Sequence, residues 1–188
     1  MFKAVFLDRD GVINRKAPEG EYVTRWDALV FLPGVVEAII LLRQAGFRVI
    51  VVSNQRCVAK GLLTVQELES IHRRMCETFA AEGATIDAVY YCPHDTQPPC
   101  ACRKPAPGLL LEAASAHQLD LESSWMVGDT ASDMEAGRNA ECKTARLQDP
   151  NEPADRLADV VASSLIEAVR QILRREAVRE DCSGAARL

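Results

Sequence analysis

Short apolar runs alternate with longer segments of helical periodicity along most of the chain. The apolar runs predict strands at 3–7, 48–52, 88–91 and 125–127, with two less regular runs at 143–147 and 159–162. The amphipathic segments predict helices over 35–44, 64–82, 108–117, 132–138 and 165–175. Because strands and helices alternate, and strand 48–52 is apolar after its first residue, the pattern predicts an α/β fold: a Rossmann-like parallel sheet flanked by helices on both faces.

Local signals define several ends of these elements. Thr64 precedes a helical segment and Glu67 follows three residues later, which is the spacing of a capping box. Gly46 ends the first helical segment. Beyond residue 175 the chain is polar and rich in alanine, so we expect one domain over 1–175 and a frayed tail over 176–188.

Composition narrows the class of protein. The 188 residues are 48% hydrophobic and 26% charged, as in a globular protein, and the net charge of -5 argues against nucleic acid as a partner. The first apolar run stops at Asp8, so the pattern predicts neither a signal peptide nor a membrane span. We therefore expect a cytoplasmic protein with no membrane partner, and a monomer, since no heptad or exposed apolar stripe is evident.

Polar residues follow each predicted strand at its carboxyl end, where ligands bind in such sheets. Asp8 and Asp10 follow the first strand, Ser53 the second, and Asp129 and Asp133 the fourth. Carboxylates gathered at one edge need a counter-charge, and their oxygens suit a hard cation such as Mg²⁺. The alternative, that they are helix caps and solvated turn residues, suits one aspartate better than all of them.

Between the third strand and the third helix the sequence concentrates cysteine and histidine. Cys92, His94, Cys100 and Cys102 provide three sulfurs and one imidazole, the closed ligand set of a structural zinc site. The alternative is a set of free cysteines and a loop histidine, which the paired spacing disfavours. The other cysteines are scattered, and we interpret them as free thiols: Cys57, Cys76, Cys142 and Cys182.

Together these motifs resemble a known family. The segments DRDGVIN at 8–14, SNQ at 53–55, Lys104-Pro105 and GDTASD at 128–133 are similar to the four motifs of the haloacid dehalogenase superfamily of phosphatases. The cysteine and histidine spacing narrows the resemblance to the subgroup of heptose bisphosphate phosphatases and histidinol phosphatases. The resemblance covers roughly residues 1–170, nearly the whole predicted domain.

The resemblance implies a phosphomonoester hydrolase that works in two steps through an aspartyl phosphate. It implies Asp8 as the nucleophile and Asp10 as general acid and base. It also implies that Mg²⁺ is bound by Asp8, the Asp10 carbonyl and Asp129, with support from Asp133. The implied phosphoryl-binding residues are Ser53, Asn54 and Lys104. Arg103 is implied to bind the rest of the substrate.

The segments in which this superfamily often carries a cap domain are short here. Residues 11–32 and 84–104 are too few for a separate domain, so we expect a fold without a cap and specificity from the loops 14–25, 55–63 and the cysteine-rich stretch. Arg56, Lys60 and Arg103 are candidates for a second anion site. Two departures from the family pattern stand out: Arg56-Cys57 replaces a small residue and glycine, and Thr130 stands where a cation often follows Asp129.

Three functions remain open from sequence. We favour removal of one phosphate from D-glycero-D-manno-heptose 1,7-bisphosphate, a small phosphorylated sugar. Histidinol phosphate is the alternative substrate, and Glu19 or Glu21 could pair with its amine. A zinc-loop binding module without turnover is disfavoured because both motif aspartates are present.

Overall fold

Six parallel strands form one sheet in the order β3-β2-β1-β4-β5-β6. The computed structural model describes residues 1–149, 151–153 and 155–185, the last seven of these as backbone only. The strands are β1 (Ala4–Leu7), β2 (Arg48–Asn54), β3 (Ala88–Cys92), β4 (Trp125–Gly128), β5 (Lys143–Leu147) and β6 (Val160–Ala162). The helices are α1 (Val35–Gln44), α2 (Val65–Ala81), α3 (Gly108–His117), α4 (Ala131–Asn139) and α5 (Leu165–Ala185).

Helices cover both faces of the sheet, as the apolar strands predicted. Along β1, Val5 and Leu7 face a core that includes residues of α1 and α5, whereas Ala4 and Phe6 face a core that includes residues of α3 and α4. All four side chains of β1 are fully buried. Alternate side chains of the central strand therefore enter two separate cores, which is why the strand is apolar throughout.

The strand order reverses between β1 and β4. From β1 the chain proceeds outward through β2 and β3, then returns to the other side of β1 for β4, β5 and β6. The loops that leave β1 and β4 must diverge from this point, which opens a crevice at the carboxyl edge. Asp8 begins one of these loops, and its backbone N–H donates to the carbonyl of Val127 at 3.0 Å.

The predicted helix signals are confirmed, with one correction at the C-terminus. The Thr64 hydroxyl accepts from the Glu67 N–H at 3.2 Å while the Glu67 carboxylate accepts from the Thr64 N–H at 2.7 Å. Helix α5, however, continues past residue 175 to Ala185. Glu176, where fraying was predicted to begin, accepts from the Trp125 indole at 3.1 Å and pairs with Lys143 at 2.7 Å. Residues 186–188 lie outside the described part of the chain.

Neither of the two possible cap positions holds a domain. The fully described segment between β1 and α1 contains loops and one 3-10 turn, Trp26–Ala28, and the segment after β3 is the cysteine-rich loop. The fold without a cap is therefore confirmed. Among the described helices, none is long and apolar enough to cross a bilayer.

Candidate active site

A buried lysine lies between two aspartates at the crevice. Lys104 Nζ is 2.9 Å from Asp8 Oδ1 and 2.6 Å from Asp133 Oδ1, and it donates to the Val52 carbonyl at 2.9 Å. Only 2% of its side chain is exposed. Three oxygens thus surround the ammonium nitrogen within 2.9 Å, and two of them belong to carboxylates, which is what a charge needs in order to be buried. Lys104, an implied phosphoryl-binding residue, thus lies deep inside the site.

The electrostatics of this triad follow from its burial. Burial raises the pKa of Asp8 to about 7, Lys104 opposes that rise and Asp133 adds to it. Burial alone would lower the pKa of Lys104, but Asp8 and Asp133 outweigh it and raise the pKa above its usual value. The site therefore holds Lys104 as a permanent cation, and Asp8 depends on nearby positive charge to ionise.

Asp10 lines the same cavity and lies within a set of hydrogen-bond donors. Its carboxylate accepts from the Arg9 guanidinium at 2.9 Å, from Asn14 Nδ2 at 2.8 Å and from Gln55 Nε2 at 2.9 Å. Burial raises the pKa of Asp10, but Arg9 and the two amides outweigh burial and the pKa is lowered overall. Asp10 is held in one orientation as a carboxylate.

Arg9 is itself buried and has a second partner. Its guanidinium lies 3.1 Å from Nε2 of His72 on α2. Burial and the charge of Arg9 lower the pKa of His72 to about 3, so the ring is neutral. Since a guanidinium only donates, Nε2 is the acceptor and the ring proton lies on Nδ1. His72 is thus a buried neutral ring that supports the arginine that holds Asp10.

Three carboxylates of the crevice could share a metal ion. One oxygen from each of Asp8, Asp129 and Asp133 lies within 4.8 Å of the others. Asp129 Oδ1 is buried without a hydrogen-bond partner, and Oδ2 pairs with Lys16 at 2.7 Å. Burial raises the pKa of Asp129, with Lys16 opposing the rise. A buried oxygen without a donor beside two further carboxylates fits a hard divalent cation.

Two glycines allow the carboxylates to approach one another. Gly11 has φ +93, and a Cβ there would lie 2.4 Å from Asp129 Oδ2. A Cβ on Gly128 would lie 2.2 Å from the Asp133 Cβ, where α4 begins close to the end of β4. Any larger side chain at either position would displace an aspartate, so both glycines are needed by the site itself.

The cysteine and histidine ligands come together as the sequence predicted. The Sγ atoms of Cys92, Cys100 and Cys102 are 3.2 to 3.6 Å apart. His94 Nδ1 is 3.2 Å from Cys102 Sγ. Such sulfurs are too distant for disulfides, which need about 2.05 Å. Around a tetrahedral zinc ion with zinc–sulfur bonds of about 2.3 Å, two sulfur ligands are ~3.8 Å apart. The observed distances between Sγ atoms are slightly shorter than this, so the four groups fit one zinc ion.

Asn54 connects the cysteine-rich loop to the sheet. Its side-chain Oδ1 accepts from the Lys104 backbone N–H at 3.0 Å, and its Nδ2 donates to the Lys104 carbonyl at 3.1 Å. Both backbone groups of Lys104 are thereby attached to the end of β2. Loop and sheet together position the lysine, since the cluster of cysteine and histidine residues ends two positions before it.

The predicted phosphate-binding residues line one small cavity of about 250 Å³. Ser53 is buried, and its hydroxyl accepts from Gln55 Nε2 at 2.8 Å. Arg103 lies at the rim, where its guanidinium donates to the His94 carbonyl at 3.3 Å. The cavity is lined by Asp8, Asp10, Lys16, Ser53, Asn54, Arg103, Lys104, Thr130, Ser132 and Asp133.

The candidate second anion site is only partly assembled. Arg56 pairs with Asp95 and so connects the loop after β2 to the cysteine-rich loop, and Lys60 lies 4.9 Å from the centre of the Tyr22 ring. Arg103 alone of the three predicted cations lines the cavity. A second cavity of about 310 Å³ adjoins the first and is walled by the loop from Lys16 to Val23.

Three residues of the site are additions to the prediction from sequence: Arg9, Gln55 and Lys16. Arg9 and Gln55 belong to predicted motifs without a role of their own, and Lys16 belongs to none. Arg9 and Gln55 both donate to Asp10, and Lys16 pairs with Asp129. A polar residue next to a motif aspartate was an available signal for Arg9, but Lys16 and Asp129 are 113 positions apart and no local pattern connects them.

Comparison with known proteins agrees with this geometry. A family model described as "HAD-hyrolase-like" matches residues 101–168. The D-glycero-beta-D-manno-heptose-1,7-bisphosphate 7-phosphatase of Escherichia coli K12 is 36% identical over 92% of this chain and 95% of its own. The enzyme of that name from Pseudomonas aeruginosa is 39% identical over 74% of this chain and 77% of its own.

A solved structure extends the likeness to three dimensions. The D,D-heptose 1,7-bisphosphate phosphatase of B. bronchiseptica, complexed with magnesium and phosphate, superposes with a TM-score of 0.83 and 33% identity. The match covers 92% of this chain and 99% of that one.

The strand order and the motifs at its carboxyl edge define a phosphatase of the haloacid dehalogenase superfamily. The relatives match most of the chain at more than a third identity. Within the superfamily, this chain belongs to the family of the D-glycero-D-manno-heptose 1,7-bisphosphate phosphatases.

Proposed function

We propose that this chain hydrolyses the phosphate at carbon 7 of D-glycero-beta-D-manno-heptose 1,7-bisphosphate through an aspartyl phosphate on Asp8. The observation that carries the proposal is the placement of Asp8 at the strand-order reversal, in contact with the buried Lys104. The names of relatives that match over 92% of the chain support the choice of sugar and of carbon 7.

In the first step, a carboxylate oxygen of Asp8 attacks phosphorus. The bond from phosphorus to the sugar oxygen breaks, and Asp10 donates a proton to that oxygen. Arg9, Asn14 and Gln55 favour the carboxylate of Asp10. The phosphoryl dianion, bound close to Asp10, repels that carboxylate and so favours the protonated form that the step needs. The products are a heptose monophosphate and the aspartyl phosphate.

In the second step, Asp10 takes a proton from water, whose oxygen attacks phosphorus. The bond from phosphorus to Asp8 breaks, inorganic phosphate leaves, and Asp8 returns to its carboxylate form. Ser53, Asn54 and Lys104 bind the transferring group, and Arg103 at the rim binds the rest of the substrate. The groups that donate hydrogen bonds to Asp10 stabilise its carboxylate form, which is the form that acts as the base in this step.

We infer two resident metals. Asp8 and Asp129, with the Asp10 carbonyl and support from Asp133, fit Mg²⁺, which when bound neutralises charge between the nucleophile and the phosphoryl oxygens. Cys92, His94, Cys100 and Cys102 fit a structural Zn²⁺. None of the cysteines whose side chains are described forms a disulfide, which supports the cytoplasm as the location. A monomeric state stays a prediction.

The substrate assignment is tested by phosphate release in the presence of Mg²⁺. We expect the β anomer of the heptose bisphosphate to be hydrolysed with a kcat/KM about tenfold or more above those of the α anomer and of histidinol phosphate. The product should retain its phosphate at carbon 1, which phosphorus NMR detects. Faster release from histidinol phosphate would support the alternative substrate, and absence of release from all three would favour a binding module without turnover.

Loss of zinc is expected to disorder the cysteine-rich loop and thereby displace Lys104. The Cys100→Ser variant should contain less than one zinc per chain, be cleaved by protease within 93–103, and lose about 10- to 100-fold in kcat/KM. Cys76→Ser, a thiol on α2 outside the cluster, is the matched control. Full activity of Cys100→Ser without bound zinc would contradict the structural role of the metal.

A further inference from the structure

Lys16 lies at the mouth of the site, on a loop whose start is anchored. The Leu32 N–H donates to the Ile13 carbonyl at 2.9 Å and the Arg15 N–H to the Val30 carbonyl at 2.8 Å. Lys16 is the next residue, and 55% of its side chain is exposed. The backbone therefore holds the position of Lys16, while its long side chain remains free to reorient.

At present the ammonium group pairs with Asp129 Oδ2 at 2.7 Å. That carboxylate is one of the three that fit the divalent cation. A bound dication takes up the negative charge of Asp129 and repels the ammonium group, so the pair with Lys16 loses most of its stabilisation. Lys16 then lies in a cavity with two other lining cations, and both already have protein partners. Lys104 has three oxygens around it, and Arg103 donates to the His94 carbonyl.

The position that often carries a cation after the motif aspartate offers none in this chain. Thr130 has instead a capping role: its hydroxyl donates to Asp133 Oδ2 at 2.6 Å, and its N–H donates to the same oxygen at 3.0 Å. Its side chain is neutral and committed to the start of α4. A phosphoryl dianion in this cavity therefore needs a cation from another element.

We propose that Lys16 is the second phosphate-binding cation of the site. It lies on the loop after β1 and takes the place of the cation that is absent at Thr130. Lys16 exchanges the Asp129 carboxylate for a phosphoryl oxygen when the divalent cation and the phosphate group are bound. This inference rests on the proposed phosphatase function, but it concerns phosphate and Mg²⁺ and is independent of which sugar carries the phosphate.

Calorimetry with Mg²⁺ and with inorganic phosphate tests the exchange on the full chain. Lys16→Met is expected to weaken phosphate binding to the Mg²⁺-loaded protein about tenfold, because a charge-assisted hydrogen bond is lost. The same variant is expected to strengthen Mg²⁺ binding to the metal-free protein a few-fold, because a competing surface cation is removed. Lys16→Arg should retain most of the phosphate affinity.

Two further variants make the result specific. Arg170→Met removes an equally exposed cation that pairs with Glu37 at 2.9 Å on the α1 and α5 side, and it should change neither affinity. Adding Thr130→Lys to Lys16→Met should restore phosphate binding to within about threefold of the parent protein, since the ammonium group then enters the same cavity.

The opposite signs of the two effects distinguish the proposal from a structural role. If Lys16→Met weakens Mg²⁺ and phosphate binding together, or leaves phosphate affinity within twofold, the proposal is wrong. A protein that binds phosphate through Lys16 but does not hydrolyse the heptose bisphosphate would overturn the proposed substrate and leave this inference intact.

Discussion

Asp8→Asn is expected to abolish turnover, with a fall in kcat of about 10⁴-fold or more, because the amide oxygen is a far weaker nucleophile than a carboxylate. The substitution keeps the size of the side chain, and Lys104 retains Asp133 and the Val52 carbonyl as partners. Phosphate release from the heptose bisphosphate in the presence of Mg²⁺ measures the effect.

The loss should be chemical and not a consequence of unfolding. Burial raises the pKa of Asp8, so the ionised carboxylate is costly in the metal-free protein. We therefore expect metal-free Asp8→Asn to unfold at a urea concentration no lower than that of the parent protein. Asp27→Asn, on the exposed 3-10 turn, is the control for removal of a carboxylate and should keep full activity.

The intermediate itself can be trapped. With p-nitrophenyl phosphate, whose leaving group needs no proton, Asp10→Asn still undergoes the first step but lacks the base of the second, so acid-quenched protein should carry one phosphate per chain by intact-mass spectrometry. The double variant with Asp8→Asn should carry none. If Asp8→Asn releases phosphate at the rate of the parent protein, or if the Asp10→Asn protein is phosphorylated at another residue, then Asp8 is not the nucleophile.

Lys104→Met is expected to reduce both stability and catalysis. The lysine side chain is 2% exposed, and its removal leaves Asp8 and Asp133 facing each other without a cation. Breaking a buried ion pair in this way costs about 3 kcal/mol or more. Turnover should fall about 10²- to 10³-fold, because a fixed positive charge no longer faces the transferring phosphoryl group.

A double-mutant cycle separates the ion pair from the packing of the side chain. In the Asp8→Asn background one of the two dependent carboxylates is gone, so Lys104→Met should cost clearly less in the free energy of unfolding than it does alone. Urea unfolding measures the free energy of unfolding of the metal-free parent protein, the two single variants and the double variant. Equal costs in both backgrounds would mean that Asp8 and Lys104 do not interact energetically.

The Arg56-Cys57 departure from the family pattern has a structural explanation here. Cys57 is buried and its thiol lies 3.5 Å from Gln55 Oε1, so it fills space beside a residue that binds Asp10. Arg56 pairs with Asp95 and connects two loops that border the site. We expect Arg56 to affect the position of the cysteine-rich loop more than it affects substrate phosphate directly.

The sequence by itself determined the features that depend on neighbouring positions. Strand and helix placement, the capping box at Thr64 and the clustering of cysteine and histidine all follow from local spacing, since the period of apolar residues, the chemistry of helix caps and the spacing of these side chains act over a few residues. The convergence of Asp8 and Asp129 also followed, because carboxyl ends of neighbouring parallel strands must meet.

The tertiary structure alone decided how those charges are paired. Lys104 is buried between Asp8 and Asp133. Helix α5 continues beyond residue 175, where Glu176 contacts Trp125 on β4 and Lys143 on β5. The partners of Lys16 and Arg9 lie 113 and 63 positions away. Electrostatic pairing and burial depend on distance in space, and the chain reveals that distance only once it is folded.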